Sequence, residues 1–127
     1  RSERRVLLGT DKPETACSDM LQWLSTDPAL PTALFADNAA LAVGAVRALT
    51  ERWHAVPGDI SVVGFDDDDY ASVRHPPLST VHVPRFDIGR LAVDKLMELA
   101  QGSQPYTCVT HVSTTFVERE STRAITR

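Results

Sequence analysis

Cysteine is scarce. The two thiols, Cys17 and Cys108, lie far apart with no CxxC pair, which argues against a metal knuckle or redox motif and predicts buried, reduced side chains. The six glycines are all isolated, so there is no GxGxxG, no GxxxxGK[ST] phosphate loop and no GxSxG nucleophile elbow. No apolar run approaches the roughly 18 residues of a membrane-spanning helix. Near the start only Val6 to Leu8 is apolar, too short for a secretory signal, so a soluble cytoplasmic chain with no membrane partner is expected. Basic residues are in deficit, 13 Lys and Arg against 17 Asp and Glu for a net charge of -4, and only Arg1, Arg4 and Arg5 cluster. Phosphate contact needs a clustered excess of positive charge, so the composition argues against a free-standing nucleic-acid binder. His54, His75, His82 and His111 show no HExxH or HxH spacing. Neither a metal site, a cofactor nor a catalytic constellation is expected.

What is present is a chain of 127 residues with 43% hydrophobic and 24% charged residues, enough for one domain spanning residues 1–127 to bury a core. Short apolar runs alternate with helix-length amphipathic runs, the pattern of an α/β fold in which helices join the strands of a mostly parallel sheet. Val6 to Leu8 reads as a first strand. Asp11 and Glu14 resemble a capping box with Pro13 tolerated in the first turn, and the helix they start, with Cys17, Met20, Leu21 and Leu24 on its apolar face, should end near Asp27. Thr32 to Ala36 is a short strand, followed by a helix carrying Leu41, Ala45, Leu49 and Trp53 on one face. Trp23 and Trp53 are both expected in core packing. Ile60 to Phe65 is a nearly continuous apolar run, expected as a central strand covered on both faces. Pro76 and Pro77 force an extended stretch into a strand from Leu78 to Val83. Pro84 then precedes a helix bearing Ile88, Leu91, Ala92, Leu96 and Leu99, with Gly102 as its stop. Val112 to Val117 reads as a last strand near an edge, before a polar tail.

Asn38 and Asp66 each come directly after a predicted parallel strand, and in open α/β sheets ligands bind in the crevice outside the carboxyl ends of strands. An amide offers donor and acceptor, and a carboxylate accepts two hydroxyl hydrogens, a combination suited to a polyol, a sugar or the edge of a nucleobase. The alternative is that Asn38 caps the following helix and Asp66 a short turn. The acidic run Asp66 to Asp69 also raises a calcium loop or a phosphoryl-transfer aspartate. Tyr70 and Ala71 stand where a calcium loop wants an oxygen ligand and a glycine, and a solvated acidic turn with one functional member is preferred.

The order PTALFADN, AVGAVRAL, VPGDISVVGFDD, HPPLSTV, GRLAVDKL and VERES, between about Pro31 and Thr122, resembles the C-terminal lobe of the effector-binding core of the lactose and galactose repressor family. The resemblance implies one lobe of a type I periplasmic-binding-protein fold, in which two α/β lobes close around a small effector such as a sugar or nucleoside. It implies that operator DNA is bound by a separate N-terminal domain. It assigns Asn38 and Asp66 to effector binding. The family commonly has Asn followed by Asp here, whereas Asn38 is preceded by Asp37 and followed by Ala39, which brings Asp37 into the same role. It also implies a homodimer whose interface includes Val43, Val46, Tyr70, Pro76 and Pro77. An exported solute-binding protein of the same fold is the alternative reading, and an Asp66-dependent phosphoryl-transfer domain a further one.

Overall fold

The computed structural model describes residues 12–67, 72–73, 75–102 and 107–125. The first predicted strand, Val6 to Leu8, lies outside them. Helix α1 (Pro13–Leu24) is followed by strand β1 (Ala33–Phe35), helix α2 (Ala39–Glu51), strands β2 (Ser61–Phe65) and β3 (Ser79–His82), helix α3 (Arg85–Ala100) and strand β4 (Thr115–Val117). The strands lie in the order β1-β2-β3-β4. β1 pairs with β2 and β2 with β3 in parallel, while β4 runs antiparallel to β3 at the edge. The expected α/β class and mostly parallel sheet are therefore what the chain forms.

The core lies between one face of the sheet and the helices α1 and α2. Cys17, Met20 and Leu24 of α1 meet Ala42, Val46, Ala48 and Leu49 of α2, over Ile60, Val62 and Leu78. Leu49, Ile60 and Val62 are fully inaccessible, and burying each such side chain contributes about 1.5–3 kcal/mol. Burial pushes the Cys17 thiol up from its ordinary value, with the Glu51 carboxylate adding to the effect, so this thiol stays protonated and inert. Cys108, by contrast, is exposed, against the expectation of two buried thiols.

Four expectations are corrected. The N-cap of α1 is Lys12, with no side-chain cap, so the Asp11–Glu14 capping box does not start this helix, and the helix ends at Leu24 rather than near Asp27. Trp53 is 93% exposed. Helix α2 stops at Glu51, and Trp53 then takes a left-handed backbone at φ 64°, which swings the ring off the apolar stripe. Trp23 does pack against the core. The apolar run of β2 is not covered equally on its two faces: Val62 and Gly64 are buried, but Ser61, Val63 and Phe65 only half so. Register aligns Phe35, Val63, Phe65, Val81 and Phe116 along that second face. Phe35 and Phe65 meet edge to face at 6.3 Å. Finally, no residue of α3 is buried, although its apolar side chains were expected to pack; Leu96 and Leu99 are exposed. Gly102 does stand at the stop of α3 with φ 68°.

Candidate functional site

The amide of Ala36 donates to the Val63 carbonyl at 2.8 Å, and beyond this contact the chain leaves the sheet through Asp37 and Asn38. Asn38 has an extended backbone, and its Oδ1 accepts from the Leu41 amide at 2.8 Å, so it caps α2. The capping alternative weighed for Asn38 is thus realised. The cap uses the side-chain oxygen, and the same side chain also carries an NH2 donor group. Asp37 is exposed at the same strand end. On the adjacent parallel strand, Phe65 is followed at once by Asp66. Asn38 and Asp66 thus follow the carboxyl ends of neighbouring strands, at one edge of the sheet.

The turn after β2 is built in an uncommon way. Asp66 and Asp67 both have left-handed backbones, φ 83° and 50°, a conformation costing of order 1–2 kcal/mol per residue without glycine. Tertiary hydrogen bonds hold it there. The Asp66 amide donates to the Val81 carbonyl at 3.0 Å. The Arg85 guanidinium, at the start of α3, donates to the Asp66 carbonyl at 3.0 Å and stands 4.0 Å from its carboxylate, which is 35% exposed. The Asp67 amide donates to Thr80 Oγ1 at 3.3 Å.

Asp67 does not point to solvent. Its side chain is only 16% exposed and receives Arg119 Nη2 at 2.7 Å on one oxygen and His82 Nδ1 at 3.1 Å on the other. Burial pushes the Asp67 carboxyl up, but the hydrogen bonds from Arg119 and His82 outweigh it and hold the group below its ordinary value, as a carboxylate. The expectation of a solvated acidic turn therefore fails at Asp67. Asp68, Asp69 and Tyr70 lie outside the described residues.

Sequence reasoning missed Asp67, His82, Arg85 and Arg119. The signal available was a second carboxylate directly behind a strand end, which must either reach water or find a cation. The VERES motif supplied that cation, yet everything after Val117 read as a polar tail.

A concavity of about 330 Å³, apart from these strand ends, is bounded by Val43 and Val46 of α2, by His75, Pro76 and Leu78, and by the Arg47–Glu51 ion pair at 3.0 Å. It brings together three of the residues expected at a dimer interface: Val43, Val46 and Pro76. Val46 is 8% exposed and belongs chiefly to the core, so it offers little surface there. Pro77 is half-buried and does not line the groove.

A parallel sheet with polar side chains at the carboxyl edge is shared by many folds, and comparison with known proteins decides among them. Residues 2–122 match the family described as periplasmic binding protein-like domain. The chain belongs to that family. Among its relatives, the HTH-type transcriptional repressor PurR of Haemophilus influenzae is 37% identical over 124 residues, 94% of this chain and 36% of the repressor. The lac repressor dimer bound to operator and the anti-inducer ONPF superposes with a TM-score of 0.84 at 34% identity, covering 91% of this chain and 40% of that one. A LacI family transcriptional regulator from Enterococcus faecium with bound ribose gives 0.78 at 26% identity, covering 91% and 42%. This periplasmic binding protein-like domain is of the effector-binding kind found in LacI-family regulators, and it spans well under half the length of these relatives. Among the described residues no helix is long and apolar enough to cross a membrane.

Proposed function

We propose that the chain is the effector-sensing lobe of a LacI-family transcriptional repressor acting in the cytoplasm. A small polar molecule, such as a sugar or nucleoside, binds beside Asn38, Asp37 and Asp66. Its preference for one arrangement of the two lobes shifts the affinity of a separate DNA-binding domain for operator. The site recognises rather than reacts: an amide and a carboxylate accept and donate hydrogen bonds to hydroxyl or ring nitrogen groups, with no covalent step. The single observation supporting this most strongly is that Asn38 and Asp66 follow the carboxyl ends of adjacent parallel strands.

In the full-length protein, Asn38→Ala and Asp66→Ala are expected to leave operator binding intact and to abolish its response to effector. Fluorescence anisotropy of labelled operator, titrated with each sugar and nucleoside that displaces the unmodified protein, reads both quantities. Normal response in both variants would remove the site assignment.

Dimerisation belongs to the same proposal. The groove beside α2 supports it, since Val43 offers a half-buried apolar side chain there, next to Pro76. Val43→Arg, which places a charge in that apolar patch, is expected to convert a dimer to monomers in sedimentation experiments. An unchanged sedimentation coefficient at micromolar concentration would place the interface elsewhere.

A further inference from the structure

Asp66 can present its carboxylate to a ligand only while two consecutive left-handed residues stay in place. Its own side chain does little to hold them, since the nearest cation among the described residues, Arg85, is 4.0 Å away. The anchor is Asp67, which turns back toward the sheet and accepts from Arg119 and His82. Of these two, Arg119 is the better placed to fix a position. Its side chain is 20% exposed, against 48% for His82.

The guanidinium works as a two-point clamp. Nη2 reaches Asp67 at 2.7 Å, and Nη1 donates to the Leu78 carbonyl, immediately before β3, at 2.8 Å. The backbone of Arg119 is pinned in turn, its amide donating to Ser79 Oγ at 2.9 Å and its carbonyl accepting from the same hydroxyl at 3.2 Å. Ser79 is fully buried. Arg119 therefore stands on the start of β3 and reaches across to the turn at the end of β2. A lysine ammonium is a single point on a flexible stem and lacks the planar fork that joins the two acceptors.

We propose that Arg119 is a positioning residue for the candidate effector site: acting through Asp67, it holds the Asp66–Asp67 turn in the conformation that presents Asp66. This inference rests on the effector-site reading for its purpose, but the hold on the turn is measurable without any ligand.

The test is residue-resolved amide hydrogen exchange on the full-length protein and its Arg119→Gln, Arg119→Lys and Arg119→Gln/Asp67→Asn variants. In Arg119→Gln the amides of Asp66 and Asp67 are expected to exchange about tenfold faster or more, while the Leu49 and Val62 amides keep their protection. Arg119→Lys should fall between, and adding Asp67→Asn should change little further, because the clamp acts through that carboxylate. Unchanged exchange at Asp66 and Asp67 in Arg119→Gln overturns the proposal. So does an equal loss at Leu49 and Val62, in Arg119→Lys if Arg119→Gln fails to fold, since that is the mark of a general structural role. The two readings fail separately: a freed turn in Arg119→Gln with normal effector response in Asp66→Ala removes the effector site and leaves the clamp. A protected turn in Arg119→Gln with a lost response in Asp66→Ala does the reverse.

Discussion

Gly44→Val is expected to cost at least about 3 kcal/mol of stability and to part helices α1 and α2. Gly44 lies on the buried side of α2, where a Cβ would stand 2.6 Å from Ala16 Cβ, 2.6 Å from the Pro13 carbonyl oxygen and 2.8 Å from the Cys17 amide nitrogen. Two of these three neighbours are backbone atoms, which cannot rotate aside. Replacing the glycine with alanine would gain about 1 kcal/mol of helix propensity, against an overpacking cost of about 1–3 kcal/mol. Valine adds two more carbons into the same contact and brings a β-branched restriction as well. Gly64 makes the useful contrast, because a Cβ there meets the flexible end of Leu78 at 2.8 Å and Ala42 Cβ at 3.4 Å. Urea unfolding gives the comparison directly: a Gly44→Val midpoint close to the unmodified protein's would mean that the two helices do not approach this closely.

Which residues of α1 Gly44 meets is not a local property of the chain. The alternation of strand and helix gave the parallel run of β1, β2 and β3, because periodicity and turn residues are local. The positions of Asn38 and Asp66 were legible for the same reason: Asp66 is the first polar group beyond the apolar run of β2, and Asn38 follows Asp37 just beyond that of β1. What escaped were features decided by partners remote in sequence. An acidic run argues for solvent when read locally, yet Asp67 meets Arg119, 52 residues further on. Helical period carried the apolar stripe of α2 on to Trp53, but period does not say where backbone hydrogen bonding stops, and here the His54 amide closes back on the Leu49 carbonyl at 2.9 Å. The exposed side chains of α3 and the half-covered second face of the sheet are likewise matters of which elements meet, not of which elements form.

Ser121→Ala is the other substitution expected to act strongly, with a loss of roughly 2–6 kcal/mol, the sum of two buried groups left without partners at about 1–3 kcal/mol each. Ser121 is wholly inaccessible. Its hydroxyl donates to the Val62 carbonyl at 2.6 Å and accepts from the Ser79 amide at 2.7 Å, so one oxygen bridges β2 and β3 just before their own pairing starts at Val63 and Ser79. The backbone of Ser121 completes the seam, accepting from the Val62 amide at 2.8 Å and donating to the Pro77 carbonyl at 3.0 Å. Alanine keeps the backbone contacts and removes the bridge, and a site this enclosed leaves no route for water to replace the hydroxyl without displacing neighbours. Urea unfolding measures the loss. A change below about 0.5 kcal/mol would mean that the amide and carbonyl find other partners and that the seam is held by the backbone alone. Because Arg119 lies two residues before this bridge, the same substitution should also loosen the footing from which its guanidinium reaches Asp67, joining the stability of the C-terminal segment to the order of the turn that carries Asp66.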